Sequence, residues 1–376
     1  MRNIGVYTHI PFCLSKCNYC DFDSHVGSYE EKKEYIGALK KEIQLLNIKY
    51  GLEKYVADTI FIGGGTPTSL EEDLLFELLQ TLQSSFTFSS HLEATIEMNP
   101  SSFSASKIDI LKNSFINRVS IGLQSCIQDE LALLGRNHDL QDFDTTFNYL
   151  RNNNFDNINV DLMMGLPNQS LEKFSKTLDT VLYYNPEHIS AYMLIIEEGT
   201  PFYKWYENGK IIVDDKITLQ IYEYTVKKLK ESGYEQYEIS NFAKKGKSCS
   251  HNIKYWTLEE YLGIGRSAAS FIDGYRYKNA DKEYVKIINS GKLPIVDKEK
   301  SVMQTLYEEN IFLGLRMTQG IDIKKLNEKF DIDFMQKYSL KIEQLLKKDL
   351  IKIREGKLSL TLKGIEISNQ IFLEFI

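Results

Sequence analysis

Residues 7–22 read Tyr7-Thr8-His9-Ile10-Pro11-Phe12-Cys13-Leu14-Ser15-Lys16-Cys17-Asn18-Tyr19-Cys20-Asp21-Phe22, and three of the five cysteines in the 376-residue chain fall inside this stretch. The other two, Cys126 and Cys249, stand alone far downstream. An odd, clustered set makes a poor disulfide framework and a better metal site. The spacing C-x3-C-x2-C supplies three thiolates, whereas a tetrahedral structural zinc wants four ligands and no matching second half is present. Three thiolates on a four-iron cluster leave one iron open. An open iron can be chelated by the amino and carboxylate groups of S-adenosylmethionine (SAM), which sets a sulfonium beside a reductant. On spacing alone, zinc or no metal at all remains the competing reading.

Working outward, an apolar run at 4–8 leads into the cysteines, and β-branched or aromatic runs recur at 57–62, 94–98, 117–121, 157–163 and 189–195. Between them, residues 29–46, 70–82, 107–113, 143–152 and 171–183 carry apolar side chains at three- and four-residue steps. Repeated β-then-α units predict an α/β fold, with residues 1–200 forming a parallel sheet curled into a partial (β/α)6 barrel. Glycine, proline and polar residues follow several strands, as in Gly63-Gly64-Gly65-Thr66-Pro67, Glu97-Met98-Asn99-Pro100 and Gly165-Leu166-Pro167. Loops at the carboxyl ends of parallel strands are where such folds hold ligands, and the cysteine loop joins that rim.

Residues 201–297 read as an extension in which the alternation loosens, with a helix over 216–232 and a strand over 234–239. Residues 298–376 read as helices at 302–315, 323–330 and 334–348 followed by short strands at 351–354 and 358–361, a winged-helix-like module. Nucleic acid is not the expected partner: residues 301–376 carry 12 Lys plus Arg against 11 Asp plus Glu, and the whole chain has a net charge of -7. With no apolar run long enough to span a bilayer and no secretory pattern at the N-terminus, a cytoplasmic protein is expected.

Four polar residues, Glu97, Gln124, Arg136 and Asp161, fall at or after strand ends. A carboxylate there can hold ribose hydroxyls or an ammonium, and Gln or Arg can hold amide and carboxylate edges; solvated loop positions are the bland alternative. The glycines at 63–65 allow close approach of a ligand, or simply make a tight turn. In Ser248-Cys249-Ser250-His251-Asn252-Ile253-Lys254-Tyr255-Trp256 an imidazole or a thiolate could ligate a haem iron while the aromatics pack on a porphyrin. The alternative is a hydrogen-bonded histidine in an aromatic-lined loop. His9 could support the cluster or the substrate, and Cys126 reads as a small buried hydrophobe.

These motifs, together with 117–125, Gly135-Arg136-Asn137-His138, 161–167, Glu198-Gly199-Thr200, 237–243 and Tyr255-Trp256, resemble radical SAM proteins of the oxygen-independent coproporphyrinogen III oxidase-like family over residues 4 to about 270. The C-terminal region looks like that family's terminal domain. The resemblance implies a [4Fe-4S] cluster on Cys13, Cys17 and Cys20. It implies SAM contacts from Tyr7, Tyr19, Gly64, Gly65, Thr66, Glu97, Gln124, Arg136 and Asp161, with Ile195 lining the adenine by its backbone. Within the family, the oxidases decarboxylate porphyrinogen propionates, have an extension before the cluster motif and carry a further cysteine soon after it. Here twelve residues precede Cys13, and Asp21-Phe22 follow Cys20. That form resembles the haem chaperone branch, which implies haem as a ligand with His251 as its iron ligand, together with haem-accepting proteins, an electron donor and room for a homodimer. The oxidase is the alternative activity. One departure is Ala269, where the family usually has histidine.

Overall fold

Parallel strands can be joined only by a crossover long enough to carry a helix, so the alternation of strand and helix patterns dictates the core. The computed structural model describes residues 1–375. Its first half runs β1 (Arg2–Ile10), α1 (Tyr29–Tyr50), β2 (Tyr55–Gly64), α2 (Glu72–Ser85), β3 (Thr87–Met98), α3 (Ala105–Lys112), β4 (Arg118–Gln124), α4 (Gln128–Leu134), α5 (Leu140–Asn152), β5 (Ile158–Met164), α6 (Leu171–Tyr184) and β6 (His188–Met193). The six strands lie side by side in chain order, each parallel to the next. Local chemistry sets the helix starts: Ser28, Ser104 and Ser170 each accept a first-turn N–H, and Asp139 and Asp142 cap one another reciprocally.

Parity along the strands separates two environments, because successive side chains point to opposite faces. Ile60, Ile96, Ile121, Val160 and Ile189 share one buried core with Leu74, Leu78, Phe147, Phe174 and Leu178 of the helices. Each such side chain contributes ~1.5–3 kcal/mol by leaving water. The opposite face carries Thr95, Arg118, Ser120, Asn159, Asp161 and Ser190 in the same strands. The barrel is therefore apolar against its helices and polar inside.

The sheet does not close. The free edge of β1 pairs with β9 (Tyr261–Ile264), and that of β6 pairs with β8 (Asn241–Ala243). Residues 201–297 thus supply both flanks of the sheet: α7 (Pro201–Glu207), α8 (Asp215–Glu231), β7 (Glu235–Glu238), β8, α9 (Ser250–Thr257), β9, β10 (Ala269–Ile272), β11 (Tyr275–Asn279) and α10 (Tyr284–Asn289). The last strand of this sheet, β12 (Ile295–Lys300), runs across the expected boundary at 297/298. Its Asp297-Lys298-Glu299-Lys300 tail reads as a linker because edge strands carry charge to discourage further pairing. Glu42 of α1 ties this flank down, accepting from the Gly265 N–H (2.8 Å), Asn279 Nδ2 and the Tyr284 hydroxyl, and burial pushes its carboxyl up to about 7.

α9 lies against the inner faces of β2 and β3 near their amino ends. Glu93 of β3 accepts from the N–H groups of Ser250 (2.9 Å) and His251 (3.0 Å), placing a carboxylate at the positive end of this helix. Lys254 pairs with Asp58 of β2 at 2.9 Å.

The C-terminal unit has its own core. It comprises α11 (Met303–Arg316), β13 (Ile321–Asp322), α12 (Ile323–Phe330), α13 (Phe334–Lys337), α14 (Ser339–Lys347), β14 (Ile351–Arg354), β15 (Lys357–Leu360), α15 (Leu362–Glu366) and α16 (Ser368–Leu373). The expected helix at 334–348 is broken at Tyr338, whose ψ of 21° leaves the helical range. The wing is three-stranded, in the order β13-β15-β14. The unit grips the barrel through Arg316, which lies 4.4 Å from the Trp256 ring and 3.8 Å from Glu238, and through Thr318, which donates to the Gln236 carbonyl. Among the described residues no helix is long and apolar enough to cross a membrane.

Candidate functional site: a cysteine loop over a polar cavity

The cysteine loop joins β1 to α1 and is held from three sides. Asn18 donates to the carbonyls of Leu133 and Leu134 at the end of α4, and its own carbonyl accepts from the Phe202 N–H of α7. Arg266 and Ser267 donate to the Asp23 carboxylate, the arginine through both Nε and Nη2. Lys16 Nζ bridges the carbonyls of Phe22 (2.7 Å) and Ser24 (3.1 Å). Beneath the loop run Gly64 and Gly65. A Cβ on Gly65 would fall 2.6 Å from the Phe12 carbonyl and 3.0 Å from Cys13 Sγ, and Gly64, at φ +108°, lies against the His9 ring. Only glycine permits that approach.

Cys13, Cys17 and Cys20 line one cavity of about 330 Å³, shared with Tyr19, Gly64, Gly65, Thr66, Glu97, Gln124, Arg136 and Asp161. The Thr66 hydroxyl donates to Cys13 Sγ at 3.7 Å, and Arg136 Nη1 donates to Cys17 Sγ at 3.6 Å while its Nη2 donates to the Gly122 carbonyl. Two donors are thus aimed at sulfur. Glu97 accepts from the Gly64 N–H at 3.0 Å. Removal from bulk water, reinforced by the Asp161 charge, pushes its carboxyl up to about 8. Asp161 accepts from Asn159 Nδ2 (2.7 Å) and Ser120 Oγ (3.1 Å), and burial raises it. Gln124 ends β4 at φ +69°, a strained conformation for a non-glycine residue of the kind that collects at binding sites.

The profile of the radical SAM superfamily matches residues 7–181, and that of the HemN C-terminal domain matches residues 304–367. The chain is 37% identical to the heme chaperone HemW of Bacillus subtilis, over 99% of both chains. It is 34% identical to HemW of Lactococcus lactis, over 99% of this chain and 97% of that one. The chain belongs to the HemW family. Among solved structures, coproporphyrinogen III oxidase (HemN) from Escherichia coli superposes with a TM-score of 0.87 over 100% of this chain and 90% of that one; at 23% identity, that likeness speaks for the fold.

A radical SAM protein of this family takes a [4Fe-4S] cluster and SAM, and the residues present fit both. No three Cys, His, Asp or Glu side chains among the described residues converge as ligands of a single ion would. A cluster takes its thiolates on separate irons. The bare backbone at Gly65 leaves the space a Cβ would fill, and the donors on Cys13 and Cys17 suit thiolate sulfur.

Three of the expected site residues lie off the cavity wall. Tyr7 turns its hydroxyl to His9 Nδ1 at 2.9 Å. Ile195 falls beyond the end of β6 at Met193 and is 69% exposed. His251 is 1% exposed, with Nδ1 2.8 Å from Thr59 Oγ1, Nε2 2.9 Å from the Tyr255 hydroxyl, and its ring stacked on Phe61. Burial pushes its pKa down to about 3, so it is neutral. Both nitrogens are hydrogen-bonded and the residue packs inside the barrel, which is the hydrogen-bonded arrangement given above as the alternative to a haem ligand. Cys249 is likewise buried, its thiol pushed up to about 12. The amides of Gly64, Gly65 and Thr66 are also spent, on Glu97, Ile10 and Phe12, so these residues offer a ligand carbonyls and space in place of N–H donors.

The cavity also gathers residues the sequence reading passed over: Arg118, Ser120, Asn159, Ser190, Tyr192 and Asn252. For the five on strands the signal was parity. In 118–124, 158–164 and 188–193 most of the alternate positions are polar, which marks a strand face turned toward a polar interior.

Proposed function

We propose that the chain binds haem and passes it to acceptor proteins, with a SAM-chelated [4Fe-4S] cluster on Cys13, Cys17 and Cys20 at the binding site. The observation that carries the reading is the mouth of the cavity, where a polar, cysteine-bearing chamber meets an exposed apolar margin. Leu14, Phe22, Tyr192 and Ile195 are 45%, 59%, 40% and 69% exposed, and Phe22 and Tyr192 also form part of the cavity wall. Apolar surface of this kind beside polar groups marks a ligand site. An amphipathic disc with an apolar face and carboxylate edges suits it. The relatives that share the chain's full length are named as heme chaperones, in support of the same reading.

In this arrangement Glu97 and Asp161 accept from the ribose hydroxyls of SAM, while Gln124 and Arg136 meet its polar edges. The cluster supplies one-electron chemistry when bound, fed by an electron donor. The Arg266–Asp23 pair keeps the cysteine loop in place while ligands come and go.

The test is a paired assay on one anaerobically reconstituted sample. Haem titration is expected to develop a Soret band that saturates, and the double variant Phe22→Ser/Tyr192→Ser is expected to weaken binding about tenfold or more by removing two apolar contacts. With SAM, reductant and coproporphyrinogen III, no vinyl product is expected. Catalytic decarboxylation would overturn the chaperone reading in favour of the oxidase.

A further inference from the structure

The floor of the cavity holds a buried arginine with donors to spare, its charge favoured by Glu93 and Asp161 nearby. Arg118 opens β4, is 2% exposed, and lines the same cavity as the three cysteines. A guanidinium carries five N–H donors. Among the described residues its side chain makes one hydrogen bond, from Nη1 to Thr95 Oγ1 at 3.4 Å, and its Nε finds no acceptor. No carboxylate among those residues comes within ion-pairing distance of it. The acidic neighbours are committed elsewhere: Glu93 to the first amides of α9, Asp161 to Asn159 and Ser120, Glu97 to the Gly64 N–H. Arg136, the other cavity arginine, donates to Gly122 and Cys17 at the level of the cysteine loop; its Nε also lacks an acceptor among the described residues.

A buried charge held away from water is costly unless it is paired, and a fork of N–H donors matches a carboxylate better than any other small group. The methionyl carboxylate of SAM belongs at the cluster level. Arg118 stands two inward positions below Gly122, the residue that anchors Arg136 beside Cys17, which is about 13 Å along the strand at ~3.3 Å per residue. We infer that Arg118 is a carboxylate-binding subsite at the cavity floor that takes a propionate-type arm of a tetrapyrrole ligand. The hydroxyls of Ser120 and Ser190 and the amide of Asn159 stand beside it on the same wall. The inference rests on the tetrapyrrole reading proposed above and adds to it the group that orients the ligand.

The test compares coproporphyrin III with its tetramethyl ester by fluorescence titration of the full-length, reconstituted chain. Wild type is expected to prefer the free acid by about tenfold or more, the scale of a charge-assisted hydrogen bond. R118Q is expected to bring the acid down to the level of the ester and leave ester binding unchanged. Because glutamine at a buried site can unsettle the barrel, R118K gives a second reading: it keeps the charge, loses the planar fork, and is expected to lower the preference about threefold or more. An unchanged preference in R118Q or R118K, or no preference in wild type, overturns the subsite. Equilibrium dialysis of labelled SAM separates the two carboxylate sources: weaker SAM binding in R118Q with the porphyrin preference intact would assign Arg118 to SAM and overturn the inference. Failure of iron protoporphyrin to shift its Soret band would sink the haem proposal alone, since the Arg118 result is read with an iron-free probe.

Discussion

Arg118 and Phe334 are both among the largest fully buried side chains in the chain, and almost nothing else about their surroundings is alike. Arg118 stands in a polar interior of serines, asparagines and carboxylates with donors to spare. Phe334 is packed on Tyr338 and Phe375, with ring centroids 5.2 and 5.8 Å away, in a core with Ile342 and Leu358. The barrel can keep a polar interior because its stability comes from the other face of the same strands, where helices cover them. The C-terminal unit has no second face to draw on. Its short helices and three-stranded wing have one core, largely apolar, with the Tyr338 hydroxyl donating to the Phe375 carbonyl inside it.

The comparison breaks most visibly at sulfur. Cys17→Ser is expected to abolish the cluster's visible absorption while leaving thermal unfolding of the C-terminal unit where it was; persistence of the absorption would mean that the three-thiolate site is wrong. Phe334→Ala is the opposite cut. It should cost about 3–5 kcal/mol in denaturant unfolding of the C-terminal unit, the usual price for emptying a packed aromatic site, with cluster content and SAM affinity retained. A loss of SAM binding in that variant would show that the two regions fold as one.

Smaller effects sharpen the barrel side. Asp23→Asn removes the charge that Arg266 and Ser267 share, and the partly exposed pair should be worth only about 1 kcal/mol. The expected readout is a several-fold faster loss of cluster to a chelator with little change in melting temperature. Smallest is a pH effect at Glu97. Its carboxyl sits at about 8, so it is mostly protonated below that pH and ionises as pH rises through it. Cationic SAM favours the ionised form. SAM affinity should therefore rise roughly severalfold between pH 6.5 and 8.5, and Glu97→Gln should flatten the dependence. A flat wild-type profile would remove Glu97 from the SAM contacts.

Much of this is legible in the sequence. The cysteine spacing, the strand-then-helix rhythm and the glycine turn at 63–65 report backbone requirements that residue types announce directly. The interior polar wall was less legible, because Arg118, Ser120 and Asn159 sit inside runs that read as strands by their apolar members, and only the parity of those runs says which way the polar ones face. The setting of His251 is hidden for the reverse reason. A histidine among a cysteine and two aromatics looks like a ligand set, but residue types do not reveal that Thr59 and Tyr255 already occupy both ring nitrogens. Strand β12 escaped because charge, which usually marks a linker, also protects a sheet edge.

The placement of α9 has a consequence for traffic. With His251 and Lys254 packed against β2 and Trp256 held under Arg316, α9 fills space toward the amino ends of the strands, while the cysteine loop lies at their carboxyl ends. A chamber loaded past the cysteine loop imposes a queue: what belongs deepest must be loaded first and is the last to leave.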